Sequence, residues 1–278
     1  MIWQYFCTPL FICIFARNII EFMANSQVSN WVRTWVFSKY LDVFSAILIF
    51  SVSVGLGYQS TLYKGGKVLF NVSFSDWVSQ MKEGAFPLGI FSIVGAIFSV
   101  LATRLVGKQN NLGNFIAIFT TINSGVIDYI LGNKAAIITY PVTFIITILY
   151  TYNWSKGIKI RKVDMLYFVL LFVSMTMGAG LTLLGFYLFS DTIITPISIL
   201  TSVVLGFSFF GNLATIFKYK ETFFNWFIYN LIQLIKNSLQ LNVPYVVKFL
   251  FYLINSLITF FDWNFNGDIS QRKSQVSY

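Results

Sequence analysis

The chain has 278 residues, of which 56% are hydrophobic, 19% aromatic and only 10% charged, with a mean hydropathy of +0.72 and a formal net charge of +9. That composition argues against a soluble two-domain protein, and the nineteen Lys and Arg fall in short scattered clusters rather than a basic arm, which points to membrane topology and away from nucleic acid. The chain contains no histidine, the side chain that serves as base, ligand or relay in many hydrolases, metalloenzymes and proton pumps, so neither a catalytic group nor a metal or cofactor site is expected.

From the N-terminus, Met1 to Ala16 is apolar but lacks the basic leader and small-residue cleavage site of a removable signal. It reads as an interfacial helix or an extra short span. Cys7 and Cys13, the only thiols, lie within it without metal-type spacing and read as packing residues. A membrane span needs about 20 apolar residues, and eight runs of that order follow, at 41–58, 87–103, 113–131, 135–153, 165–189, 195–217, 223–238 and 245–261. Between the first two, Phe74, Trp77, Val78 and Met81 recur at helical spacing among polar neighbours, the pattern of a short helix lying in the membrane interface.

Thirteen of the nineteen basic residues, from Arg17 to Lys273, fall on one side of these spans, leaving Lys64, Lys67, Lys82, Lys134, Lys236 and Lys248 on or near the other. The richer side is expected to be cytoplasmic, and with it the C-terminal tail. An internal repeat organises the spans. Leu101-Ala102-Thr103 recurs as Leu213-Ala214-Thr215, while Asn133 and Trp154 match Asn242 and Trp263 at a slightly smaller separation. On this register the second copy is shorter by three residues across its middle loop. The expected fold is an all-α membrane protein of two parallel three-helix repeats joined by one linking helix (3+1+3), plus one or two N-terminal helices. Its parts are an N-terminal segment with the first span and interfacial helix (1–86), the first repeat (87–154), a cytoplasmic loop and linking helix (155–194), the second repeat (195–263) and a polar cytoplasmic tail (264–278). In transporters built on this plan the solute sits near the midplane between the halves.

Trp226, Asn230, Gln233 and Asn237 fall at i, i+4, i+7 and i+11, along one face of a helix. A polar stripe is costly against lipid, so it faces either other helices, as hydrogen-bonding glue, or a solute cavity. The matching helix of the first copy offers Asn114, Thr121, Asn123, Ser124 and Asp128, with Thr121 read as the counterpart of Gln233. Asn255 on the last span, beside Tyr252 and Ser256, repeats the theme. Asp128 is placed near interfacial water in a solvated or structural role, and Lys248 is expected to snorkel towards the same membrane face. Pro141 interrupts the backbone bonding of its span and is a candidate kink. Gly178-Ala179-Gly180 is expected to let helices approach closely.

The segment Lys218-Tyr219-Lys220-Glu221 followed by Trp226 and Asn230 resembles the PnuC-type vitamin transporters, and Asn114 and Trp154 fit the same pattern. The resemblance covers roughly 87–263, about two-thirds of the chain. It implies a full-length relative of the SWEET fold, often a homotrimer, in a bacterial inner membrane. It also implies uptake of nicotinamide riboside by facilitated diffusion, with a separate cytoplasmic kinase trapping the solute. Relatives carry thiamine or riboflavin. On matching positions Trp226 would stack on the pyridinium and Asn230 would bond the ribose or amide. Thr121 stands where many members have a longer amide, which Gln233 or Asn123 would replace. The competing reading is a structural membrane protein whose polar stripe only joins helices.

Overall fold

Short polar side chains start several of the helices. Ser38 accepts the Leu41 N–H (3.2 Å), Ser73 that of Asp76 (3.3 Å) and Asp164 that of Tyr167 (3.1 Å). Thr195 and Ser198 form a reciprocal capping box ahead of Pro196, whose missing N–H costs nothing at the first helical position. The computed structural model describes residues 34–108, 110–155, 161, 163–217, 219 and 221–265, with the side chains of all of these but 150, 154, 155, 223 and 261–265. The expectations for Met1–Ala16 and its two thiols, for the side chains of Trp154 and Trp263, and for the tail beyond 265 lie outside what is described.

Nine helices and a hairpin follow in chain order among the described residues. They are α1 (Lys39–Gly55), a 3₁₀ turn (Tyr58–Ser60), β1 (Leu62–Lys64), β2 (Lys67–Leu69), α2 (Phe74–Lys82), α3 (Leu88–Gly107), α4 (Leu112–Ile130), α5 (Ala136–Ser155), α6 (Met165–Phe189), α7 (Pro196–Ile216), α8 (Thr222–Leu239) and α9 (Val243–Phe265). Five of them, α3, α5, α6, α7 and α9, contain segments long and apolar enough to cross a membrane. The helices α4 and α8 are not among these, because the polar side chains they turn inward dilute their apolar character. Pro141 is accommodated within α5.

The chain is not wholly helical. Strands β1 and β2 pair antiparallel with Leu62 opposite Leu69, and Gly65 and Gly66 supply the positive φ angles (56° and 81°) that the turn requires. Strands this short do not show their period in sequence. The hairpin holds α2 in place, since Lys64 donates to Gln80 (2.8 Å) and pairs with Glu83.

Six helices close a ring in the order α3, α4, α5, α7, α8, α9 and back to α3, while α6 packs outside against α7 and α5, and α1 outside against α3 and α9. Asn153 reinforces the α5–α7 seam by donating to the Ile216 carbonyl (2.5 Å). Buried Arg104 fastens α1 to the ring. Its guanidinium donates to Asp42 (2.7 Å), to Asn255 (2.9 Å) and to the Trp35 and Val36 carbonyls (2.9 and 2.8 Å), and Lys108 pairs with the same Asp42. Below α7, the Tyr219 hydroxyl (2.5 Å) and Arg161 (2.7 Å) donate to Asp164, and these bonds, led by that of Tyr219, hold its carboxyl below the usual carboxylate range.

One backbone pattern recurs along the ring. The bonds Lys108 N–H to Arg104 O, Asn110 N–H to Leu105 O and Gly113 N–H to Asn110 O (3.1, 2.9 and 3.1 Å) reappear in the second unit as Phe217 to Leu213, Tyr219 to Ala214 and Thr222 to Tyr219 (3.0, 3.0 and 3.3 Å). At the other ends of α4 and α8, Asn133 N–H to Asp128 O (2.9 Å) reappears as Asn242 N–H to Asn237 O (3.0 Å), each turn passing through a positive φ, at Gly132 and at Leu241. The separation that takes Lys108 to Phe217 also takes Asn133 to Asn242, so the middle loop is not shortened. The match of 101–103 with 213–215 is a coincidence between apolar segments, because Leu213 occupies the place of Arg104. Thr121 therefore corresponds to Asn230, not to Gln233.

Of the paired glycines expected to permit close packing, Gly178 does so. A Cβ there would lie 2.4 Å from the Gly206 nitrogen on α7, whereas one at Gly180 would meet nothing within 4 Å. Gly178→Ala is expected to lower stability in detergent by about 1–3 kcal/mol through overpacking, with Gly180→Ala close to neutral; thermal unfolding of the two variants side by side checks this.

Candidate functional site

All six ring helices, and neither α1 nor α6, line a central cavity of about 250 Å³. The correspondence between the units carries into its walls. Ser99 faces it with Ser208, Thr103 with Asn212, Thr120 with Tyr229, Thr121 with Asn230, Thr143 with Tyr252 and Thr147 with Ser256. The cavity wall thus pairs positions of like backbone bonding and unlike chemistry. The first unit contributes mainly hydroxyls, and where Ala117 leaves a methyl group the second places the indole of Trp226.

Several hydroxyl protons are already engaged. Thr121 donates to the Ala117 carbonyl (2.8 Å), Thr143 to Thr139 (2.8 Å) and Thr147 to Thr143 (2.8 Å), so these side chains present oxygen lone pairs to the cavity. The amides are oriented too. Asn230 donates from Nδ2 to Ser256 (2.9 Å), which frees its oxygen as an acceptor. Asn255 accepts from Arg104, a group that can only donate, which frees its NH₂ as a donor. Asn114 donates to Asn111 (2.7 Å), and its own amide oxygen is buried without a hydrogen-bond partner. Trp226 stands edge-on to Tyr229 (5.2 Å between centroids), with its indole against Gly211, where a Cβ would approach Cζ2 to 2.8 Å.

Of the expected solute-binding residues, the structure brings Trp226, Asn230, Asn114, Thr121 and Asn255 to this cavity and keeps two away. Gln233 donates to the Tyr229 hydroxyl (2.9 Å) and accepts from Asn237 (3.1 Å), which places it behind the wall, along a side pocket of about 40 Å³. Asn123 is spent on packing. It donates to the Phe91 carbonyl (3.2 Å), accepts from Tyr245 (3.1 Å) and fills the space left by Gly95. Neither compensates for a longer amide at Thr121.

The end of the cavity nearest the α4–α5 and α8–α9 turns is ionic; Asp128 takes the structural role of the two expected for it, but not at interfacial water, and the expected snorkelling of Lys248 fails. Asp128 is buried rather than solvated. Its carboxylate accepts from Lys236 (2.7 Å), Asn133 (2.6 Å) and Tyr140 (3.3 Å) on one oxygen and from Gln240 (3.0 Å) on the other. Lys248 does not snorkel. It is 3% exposed and its ammonium lies 3.4 Å from the centroid of the Tyr245 ring and 4.5 Å from that of Phe249. Sequence reasoning missed Lys236, although it continues the polar face one turn after Gln233. It also missed the ladder of Thr139, Thr143 and Thr147, whose spacing of four was legible.

Residues 89–265 match the family described as nicotinamide mononucleotide transporter. The chain belongs to that family. It is accordingly a membrane transporter, not an enzyme. Among solved structures, the vitamin B3 transporter PnuC has a similar fold, with a TM-score of 0.55 at 12% identity over 80% of this chain and 90% of that one. No curated protein sequence matches at a significant level.

Asp128 and Lys236 are 8% and 2% exposed and tie α4 to α8 across the ring. Removing one partner strands a buried charge, so Asp128→Asn and Lys236→Met are each expected to cost about 3–5 kcal/mol. The double variant is expected to lose clearly less than the sum of the two. Unfolding in detergent completes the cycle, and additive losses would show that the pair is not directly coupled.

Proposed function

We propose that this chain takes up nicotinamide riboside by facilitated diffusion, as a multi-pass protein of a bacterial inner membrane with its C-terminus in the cytoplasm. The single observation that carries the reading is the placement of Trp226 and Asn230 on the cavity wall opposite the hydroxyls of the first unit. An indole face attracts a flat pyridinium cation. A ribose and a carboxamide need both donors and acceptors, which Asn255 and Asn230 offer from adjacent helices.

Membership of a transporter family and a polar cavity walled by all six ring helices support a carrier over a structural protein. Two three-helix units around one linking helix, α6, would rock about the cavity and expose it to each side in turn. The recurrence of hydrogen bonds at both ends of α4 and α8 favours that plan. No charge cluster other than the internally satisfied one at Asp128 lines the cavity among the described residues. Ion coupling is therefore not invoked, and net uptake would come from a separate kinase that consumes the solute inside.

Calorimetry on the purified protein with nicotinamide riboside, thiamine and riboflavin tests the reading. Saturable binding of the riboside alone is expected, weakened about tenfold or more in Trp226→Ala, the loss of about 1.4 kcal/mol that one aromatic contact with a cation supplies. Preference for another of the three would reassign the solute within the same mechanism. Absence of binding by any of them would return the structural-protein reading.

A further inference from the structure

We propose that Asn212 on α7 is a specificity-determining residue of the cavity, which reads a carboxamide on the ring held at Trp226 through a pair of hydrogen bonds. The proposal deepens the transporter reading of the same site and rests on it.

Five asparagines stand along the described cavity walls, at positions 114, 133, 212, 230 and 255. The protein engages four of them. Asn114 donates to Asn111, Asn133 to Asp128 and Asn230 to Ser256, while Asn255 accepts from Arg104. Asn212 is only 5% exposed, yet neither its oxygen nor its nitrogen has a hydrogen-bond partner among the described residues. Its polar atoms are not sealed in the core but open onto the cavity. A buried amide is costly unless something bonds it. In a carrier that something is water in the unloaded form and the solute in the loaded one. The difference between the units points the same way. Thr103, the counterpart of Asn212, is hydrogen-bonded to Tyr252, so the free amide occurs only on the side that also carries the indole.

Position selects the part of the solute that Asn212 reads. Its neighbour Gly211 is the surface on which Trp226 rests, since a Cβ there would lie 2.8 Å from Cζ2 and 2.9 Å from Cε2 of the indole. Asn212 is thereby set beside the indole, facing the cavity. A flat ring laid on the indole would turn its edge, and any substituent on that edge, towards this residue. A carboxamide offers an acceptor and a donor side by side, the same pair that Asn212 presents, and two such groups satisfy each other with opposed N–H···O bonds. A carboxylate in its place offers acceptors alone and sets a negative charge against the Asn212 oxygen. A methyl ketone keeps the acceptor and loses the donor.

Calorimetric binding to the purified protein would use nicotinamide riboside and analogues with a carboxylate, a methyl ketone or hydrogen in place of the carboxamide. The wild type is expected to bind the riboside about tenfold or more tighter than each analogue. In Asn212→Leu the preference over the unsubstituted analogue is expected to shrink to within about threefold, with the affinity of that analogue itself changed by no more than about threefold. Trp226→Ala is expected instead to weaken all four. Asn212→Thr, which copies the first unit, is expected to lose the same preference and serves where the Leu variant does not fold. No carboxamide preference in the wild type, a preference kept in both Asn212 variants, or an equal loss of all four solutes in them would overturn the proposal and leave the transporter reading standing. Failure of all four to bind the wild type would remove both.

Discussion

The ion pair of Asp128 with Lys236 is the constraint around which the rest is arranged. It joins the ends of α4 and α8, two helices that face each other across the ring rather than pack side by side. Each of its charges would be costly alone in an apolar surrounding, so the pair is tolerable only because Asn133, Tyr140 and Gln240 complete the bonding of the carboxylate. Those supports fix more than a charge. Asn133 and Gln240 belong to the turns that follow α4 and α8, and Tyr140 belongs to α5, so a single carboxylate sets where these helices end and how they meet.

The recurring turns carry different chemistry on like backbone. They repeat the same hydrogen bonds and the same positive φ, which is a matter of local geometry and tolerates wide change in side chains. The chemistry has diverged on that frame. Ala117 stands against Trp226, Thr121 against Asn230 and Thr143 against Tyr252, so the first unit leaves volume that the second fills with aromatic and amide groups. Even the ion pair follows this rule, because the position equivalent to Asp128 in the second unit is Asn237, whose amide is occupied by Gln233.

The helices were legible because a span needs a long apolar run, and the runs at 165–189 and 195–217 coincide closely with α6 and α7. Register was not. Apolar segments share residues by chance, and Leu-Ala-Thr carried no turn geometry, whereas Asn133 and Asn242, which do sit in turns, gave the true spacing. Helical periodicity placed Gln233 and Asn123 on polar faces, but it cannot tell a cavity from a seam between helices. Gly95, which admits Asn123, belongs to the preceding helix and reveals its role only once α3 and α4 are side by side. The hairpin was hidden by its brevity. The partner of Asp128 was hidden by distance along the chain, since four helices begin between it and Lys236.

The proposed facilitated diffusion would require a change of state without solute, and the walls suit that requirement. A polar cavity whose groups relied wholly on the solute would leave them unbonded in the unloaded form, at a cost of about 1–3 kcal/mol for each. Thr121, Thr143 and Thr147 avoid this by donating to carbonyls of their own helices, and Asn230 and Asn255 each keep half of their amide bonded to Ser256 or Arg104. On the proposed reading the solute would gain from these groups only the remaining halves. Binding of that kind is selective in direction, with an acceptor on one helix and a donor on the next, yet shallow in energy, which is what release on the far side demands. Arg104 is central to this compromise. Lying outside the cavity, it fixes which end of the Asn255 amide faces in, and by gripping Asp42 of α1 and the Trp35 and Val36 carbonyls just before that helix in the same guanidinium it ties the direction of that hydrogen bond to the packing of a helix that does not line the cavity.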